Sequence, residues 1–214
     1  MSVAGADVRA LLGVVPQGLA LYDSLTVREN LRVFGGLYGL AGAALHRRID
    51  WGLELAQLTA SRAIRVSALS GGMKRRLNIA VSLLHDPKIL IFDEPTTGVD
   101  PQSRNHIFDT VRALHKEGRT VVYTTHYMEE VEALCDRVAI MDHGQLVVTD
   151  TMAALVGGGA SREFRLSLPT VCEPAELRAR LSAAGVDVES LEGKGRSLES
   201  VFIELTGRAL RDAS

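Results

Sequence analysis

The feature that most constrains the fold is a continuous apolar run, Ile89 to Phe92, which ends in two adjacent carboxylates, Asp93 and Glu94. An uninterrupted apolar run of this length suits a strand covered on both faces, as in a parallel sheet. Open α/β sheets bind ligands at the carboxyl ends of their strands. One acid there can hold Mg²⁺, and its neighbour can act on a water that attacks a terminal phosphate. By itself, however, an Asp-Glu pair can equally cap a loop.

Helical and strand patterns alternate along most of the chain. Thr26 and Glu29 have the spacing of a capping box, and Asp100-Pro101 marks another helix start. The apolar runs that read as strands are Leu11 to Val15, Ile89 to Phe92, Thr120 to Thr124, Val138 to Met141 and Leu146 to Val148. This alternation predicts an α/β fold in which helices flank a mainly parallel sheet. A largely helical subdomain is expected at about residues 26–85.

A run of three glycines, Gly157 to Gly159, is the clearest linker signal. Consecutive glycines neither pack nor hold one backbone conformation. We therefore predict a main domain over residues 1–155, a linker at 156–160 and an accessory βαβα segment at 161–214.

Composition excludes several classes of protein. The formal net charge of −2 leaves no basic excess for neutralising a nucleic-acid backbone. Cys135 and Cys172 lack the spacing of a metal or redox site. No apolar run approaches the roughly 20 residues needed to cross a bilayer, so membrane contact is expected to go through a partner.

A second candidate site precedes the helix predicted after Ser70. Gly71 and Gly72 allow a backbone to approach an anion closely, and the free amides at a helix start can donate to phosphate oxygens. A Ser-Gly-Gly sequence alone is also consistent with a simple turn and N-cap.

In combination, these segments resemble an ABC-type ATPase. The segments that carry the resemblance are Leu69 to Gly72 as the signature motif, the strand ending in Asp93-Glu94 as Walker B, Gly98-Val99-Asp100 as the D-loop, His126 as the switch histidine and Gln17 as the Q-loop glutamine. They occur in the family's order and cover roughly residues 3–155. The resemblance implies a P-loop NTPase-like core with a helical subdomain.

The resemblance also implies residue roles, with ATP and Mg²⁺ as cofactors. Asp93 and Gln17 would bind the metal, while Glu94, His126 and Gln17 would be catalytic. Two such domains pair head to tail in the family, so Ser70, Gly71 and Gly72 would bind ATP held by the partner, and Asp100 would belong to the D-loop.

The implied partners are a transmembrane permease and a second ATPase subunit, identical or not, with the chain peripheral at the cytoplasmic face of the cell membrane. Two segments, Met73 to Arg76 and Ser197 to Arg208, resemble ATPases of drug and polysaccharide exporters. Without the family, Lys74 to Arg76 is most simply a solvated helix face, and the terminal segment is simply an amphipathic helix. The cargo cannot be inferred from the sequence.

The sequence contains no Walker A loop, G-x-x-x-x-G-K-[ST]. Gly13 and Gly18 have the glycine spacing, but Leu19 follows where lysine belongs. We therefore expect an N-terminal truncation, a misplaced start codon or an internal deletion. The alternative is a non-catalytic regulatory domain on an ABC scaffold, although Glu94 and His126 argue against it. An ABC-type protein acting on DNA or ribosomes is a third interpretation, which the lack of basic excess disfavours.

The missing loop leads to a first prediction: the chain as given binds ATP weakly, because the backbone amides and lysine that cradle the phosphates are absent from it. Titration with a fluorescent ATP analogue measures this. Micromolar binding that Asp93→Ala abolishes would contradict it.

Overall fold

The computed structural model describes residues 8–157 and 174–186, and the chain divides into two compact units, Met1–Tyr127 and Met128–Ser214. The helices of the first unit are α1 (Val27–Leu37), α2 (Gly42–Leu55), α3 (Gly71–Ser82) and α4 (Pro101–Lys116), and its strands are β1 (Leu12–Val15), β2 (Ile89–Asp93) and β3 (Thr120–Thr124). The second unit contains α5 (Met128–Leu134), β4 (Arg137–Asp142), β5 (Gln145–Thr151), α6 (Met152–Gly157) and α7 (Pro174–Ala183). Within the described ranges, none of the helices has the length and apolar character that a membrane span requires.

The first unit is built on a parallel sheet of three strands in the order β1-β2-β3. Leu90 and Phe92, on one face of the central strand, are fully buried, whereas Ile89 and Ile91 on the other face are exposed and half-buried. Within the described residues, the cover expected on both faces of this strand is therefore found on one face only. Parallel neighbours need long crossover connections. Helices α1 to α3 connect β1 to β2, and α4 connects β2 to β3. The predicted α/β fold is confirmed.

Helices α1, α2 and α3 share one apolar core with the segments that join them. Its fully buried side chains include Leu31, Ile49, Leu77 and Leu84. The predicted capping box starts α1: the Glu29 N–H donates to Thr26 Oγ1 (3.2 Å), and the Thr26 N–H donates to Glu29 Oε2 (2.8 Å). These two bonds satisfy amides that the first helical turn leaves unpaired.

Helix α4 begins and ends at the predicted residues. The Ser103 N–H donates to Asp100 Oδ1 (2.9 Å), and Pro101 is the first helical residue. Gly118 follows the helix with a φ of +85°, a left-handed conformation that costs glycine little.

The second unit contains an antiparallel hairpin, β4-β5, which forms a sheet of its own. His143 and Gly144 form its turn, with φ angles of +48° and +76°. So short a connection permits only antiparallel pairing, so parallel pairing among the described strands is confined to β1, β2 and β3. The hairpin packs with α5 and α6 around a small core of Val131, Val138, Ile140 and Leu155.

Much of the predicted accessory segment lies outside the described residues. Helix α7 lies where a helix is expected. The predicted βαβα segment also comprises strands at residues 163–168 and 186–191 and a helix at 197–210. Of these, only Val186 is among the described residues, and Gly158 and Gly159 of the linker are not. The domain boundary at residues 156–160 stays a prediction.

The helical core leads to a second prediction. Leu31 is fully buried, whereas Leu37 on the same helix is 71% exposed. We expect Leu31→Ala to lower the free energy of unfolding by about 2–5 kcal/mol, because it removes packed atoms and leaves a cavity. We expect Leu37→Ala to change it by about 0.5 kcal/mol or less. Urea denaturation followed by circular dichroism measures both, and equal losses would show that α1 is not packed as described.

Candidate functional site

The candidate site lies where the three parallel strands end. Gln17 follows β1, Asp93 is the last residue of β2 and Glu94 follows it, and His126 comes shortly after β3. Because the strands are parallel, their carboxyl ends lie at one edge of the sheet. Residues that are far apart in the sequence are thereby brought within hydrogen-bonding distance.

Glu94 is the centre of this group, which we call the Glu94 cluster (Gln17, Asp93, Glu94 and His126). Gln17 Nε2 donates to Glu94 Oε2 over 3.0 Å, and His126 Nδ1 lies 3.4 Å from Glu94 Oε1. Thr97 Oγ1 also donates to Glu94 Oε2, over 3.2 Å. The side chains of Glu94 and His126 are 29% and 33% exposed, so the pair is accessible to a ligand.

The backbone of Glu94 is held in an uncommon conformation. Its φ is +42°, in the left-handed region that non-glycine residues seldom adopt, at a cost of roughly 1–3 kcal/mol. The Glu94 N–H donates to the carbonyl oxygen of Thr124 (3.1 Å) and to its Oγ1 (3.2 Å). These bonds to the end of β3 keep the Glu94 backbone in place.

The Asp93 carboxylate is also held by β3. Thr124 Oγ1 donates to Asp93 Oδ1 over 2.7 Å, and the two residues are register partners in the sheet. Sequence reasoning did not identify Thr124 or Thr97 as members of the site. Thr124 could have been found by aligning the ends of the two predicted strands, whereas nothing in the sequence pattern indicates that Thr97 reaches back to Glu94.

The donor atoms fit Mg²⁺ bound together with a phosphate. Carboxylate and amide oxygens of Asp93, Glu94 and Gln17 are the hard ligands that Mg²⁺ prefers. Across residues 8–157 and 174–186, no cluster of three or more His, Cys, Asp or Glu side chains could hold a metal ion alone. Mg²⁺ bound jointly with substrate phosphates needs only one or two protein carboxylates.

Ser70, Gly71 and Gly72 form a second group at the start of α3. Ser70 is the N-cap, and its Oγ accepts from the Met73 N–H over 3.3 Å. Gly72 is buried where α3 meets the start of α4, beside Asp100 and Ser103. The hydrogen bond from the Ser103 N–H lowers the pKa of the Asp100 carboxyl group. The predicted signature glycine and D-loop aspartate are therefore neighbours within one chain.

Known proteins are similar to this chain over nearly its whole length. The chain is 38% identical to the linearmycin resistance ATP-binding protein of Bacillus subtilis (strain 168), over 97% of this chain and 78% of the relative. This chain belongs to the ABC transporter ATP-binding protein family. The family's sequence model, described as ABC transporter, matches residues 4–97 of this ABC protein.

Other ABC proteins show the same likeness. The chain is 38% identical to the Nod factor export ATP-binding protein I of Rhizobium sp. (strain N33), over 94% of this chain and 74% of that protein. The solved structure of cbiO1 from Clostridium perfringens, part of the ABC transporter complex cbiONQ, is similar with a TM-score of 0.65 and 27% identity. That likeness covers 73% of this chain, which spans 63% of the cbiO1 chain.

The start of α3 leads to a third prediction for this ABC protein. A Cβ on Gly72 would lie 2.6 Å from Asp100 Oδ2 and 2.8 Å from Ser103 Cβ, whereas a Cβ on Gly71 would meet nothing within 4 Å. We expect Gly72→Ala to lower the free energy of unfolding by about 1–3 kcal/mol through overpacking. Gly71→Ala is the matched control, and we expect it to leave stability unchanged or to raise it by up to about 1 kcal/mol. Thermal and urea unfolding of both variants check this, and a stable Gly72→Ala would refute the close packing of α3 against α4.

Proposed function

We propose that this ABC protein is the ATP-hydrolysing subunit that energises a membrane exporter. The observation that supports this best is the Glu94 cluster: one accessible carboxylate, bonded by Gln17 and paired with His126, at the carboxyl edge of a parallel sheet. Relatives named for linearmycin resistance and Nod factor export favour export as the direction of transport.

In this proposal Glu94 orients the attacking water and accepts its proton as the oxygen attacks the terminal phosphate of ATP, which leaves ADP and phosphate. Gln17 and Thr97 both donate to Oε2 of Glu94, so the other carboxylate oxygen, which faces His126, is the better placed to accept that proton. His126 lies beside it and would donate to the terminal phosphate.

Asp93 would hold the magnesium ion, with the amide oxygen of Gln17 as a second ligand. When bound, Mg²⁺ neutralises charge on the phosphate oxygens. Thr124 holds one oxygen of the Asp93 carboxylate through a 2.7 Å hydrogen bond and thereby limits its rotation. Gln17 donates through its nitrogen to Glu94, which directs its oxygen elsewhere, as a ligand role requires.

The group at the start of α3 would complete the site of a second subunit. Ser70 and Gly71 are exposed at the N-terminus of a helix, where backbone amides and the helix dipole favour an anion. We propose that they bind ATP held by the partner of a head-to-tail dimer, with Gly72 setting the helix start. The partners would then be a permease and a second ATPase subunit, with the chain at the cytoplasmic face of the membrane.

The fourth prediction tests this function in the assembled transporter. We expect Glu94→Gln to lower phosphate release roughly a hundredfold or more, because the amide cannot accept a proton from water, while the affinity for ATP stays equal to that of the unsubstituted protein. Glu54→Gln, the same substitution at an exposed position on α2, is the control and should leave the rate unchanged. Phosphate release and binding of a fluorescent ATP analogue measure the two effects.

The same assay distinguishes an ATP-hydrolysing subunit from the alternative, a non-catalytic regulatory subunit. A wild-type protein that supports transport without releasing phosphate from its own site would indicate a non-catalytic regulatory subunit, the interpretation that the missing Walker A sequence favours.

A further inference from the structure

The loop that carries Gln17 has little packing of its own. Strand β1 ends at Val15, and the residues from Gln17 to Ala20 are exposed. Yet the side chain of Gln17 must be placed accurately to donate to Glu94 over 3.0 Å. Its position therefore depends on whatever holds the loop backbone.

A buried arginine of α3 holds this loop at its beginning. Arg75 Nη1 donates to the carbonyl oxygen of Pro16 over 2.9 Å, and Nη2 donates to that of Gln17 over 2.6 Å. The residue is only 5% exposed, and burial lowers the pKa of its guanidinium. A planar guanidinium that bonds two successive carbonyls fixes both the position and the orientation of the peptide between them.

Asn78, one turn further along α3, holds the other end of the loop. Its Oδ1 accepts from the Ala20 N–H over 3.0 Å, and the residue is fully buried. Residues three apart lie on the same face of a helix. One face of α3 therefore holds the backbone at both ends of the exposed segment.

We propose that Arg75 is a positioning residue for ATP hydrolysis, which acts by holding the Gln17 loop so that the Gln17 side chain engages Glu94. It links α3, the helix that begins at Ser70, to the Glu94 cluster through two peptide carbonyls and one side-chain amide. The role in hydrolysis rests on the function proposed above. The link between Arg75 and the position of the Gln17 side chain does not depend on that function.

Arg76 supplies a matched control within the same helix. It is also partly buried, and its Nη1 donates to the carbonyl oxygen of Ala56 at the end of α2 (2.8 Å) and to Gln57 Oε1 (3.3 Å). Arg76 therefore stabilises the packing of α3 against the end of α2, and these bonds do not reach the Gln17 loop. A merely structural role for Arg75 would make the two substitutions equivalent.

The first measurement needs no nucleotide. NMR of ¹⁵N-labelled protein detects the side-chain amide of Gln17, whose signal is assigned because it disappears in Gln17→Ala. The change in its chemical shift in Glu94→Ala then reports the loss of the hydrogen bond to Glu94. We expect Arg75→Ala to move this signal to the position seen in Glu94→Ala, and Arg76→Ala to leave it in place. Arg75→Lys keeps the charge but not the two-carbonyl fork, so we expect an intermediate shift.

The second measurement is a double-mutant cycle on phosphate release by the assembled transporter. We expect Arg75→Ala to lower kcat roughly tenfold or more, as for the loss of a hydrogen bond to a charged group. In the Gln17→Ala background the same substitution should have little further effect, because its effect passes through Gln17. Arg76→Ala should lower kcat equally in both backgrounds, if at all.

The outcomes distinguish the two proposals. An unchanged Gln17 signal in Arg75→Ala, or in Arg75→Lys should the alanine variant fail to fold, overturns the positional link. Additive losses of kcat in the cycle overturn the role in hydrolysis. A third outcome is that the Gln17 signal depends on Arg75 but phosphate release does not change in Glu94→Gln. This result would support the positional link and contradict the proposed function.

Discussion

The parallel alignment of three short strands is the constraint on which the site depends. Gln17, Glu94 and His126 are separated by most of the first unit's sequence, and they meet only because β1, β2 and β3 end at one edge of the sheet. The pairing also acts locally, since the end of β3 supplies the carbonyl and hydroxyl oxygens that hold the Glu94 backbone. A shift of one residue in the β2-β3 register would turn the side chains of the site to the other face of the sheet.

Helix α3 connects this edge to the rest of the first unit. Its first turn packs Gly72 against the start of α4, its apolar face enters the core shared with α1 and α2, and its polar buried face carries Arg75 and Asn78. A single rigid element therefore contributes to both groups of candidate site residues. A movement of this helix would displace the Gln17 loop, because Arg75 and Asn78 are hydrogen-bonded directly to the loop backbone.

Arginine side chains recur as bridges to backbone carbonyls in the first unit. Arg48 donates to the carbonyls of Leu83 and Leu84 just after α3, and Arg119 donates to that of Pro87 just before β2. The last carbonyls of a helix have no partner within the helix, and the helix dipole places partial negative charge on them. A cationic fork satisfies two acceptors at once and brings its long apolar stem into the interface. The bonds of Arg48 join α2 to the end of α3, and the bond of Arg119 joins the segments that precede β3 and β2.

The sequence by itself determined the elements whose signals are local. A continuous apolar run predicted the strand β2, the spacing of Thr26 and Glu29 predicted the start of α1, and Asp100-Pro101 predicted the start of α4. The order of motifs also identified the family and indicated the candidate site residues. Only the tertiary structure decided that the β4-β5 hairpin forms a sheet of its own, and that Thr124 and Thr97 donate to carboxylates of the Glu94 cluster. It also decided that Arg75, which resembles a solvated helix residue in sequence, is buried against the Gln17 loop. The physical reason is that the contacts of Thr124 with Asp93 and of Arg75 with the Gln17 loop join residues 31 and 58 positions apart, so they exist only once the strands and helices have packed.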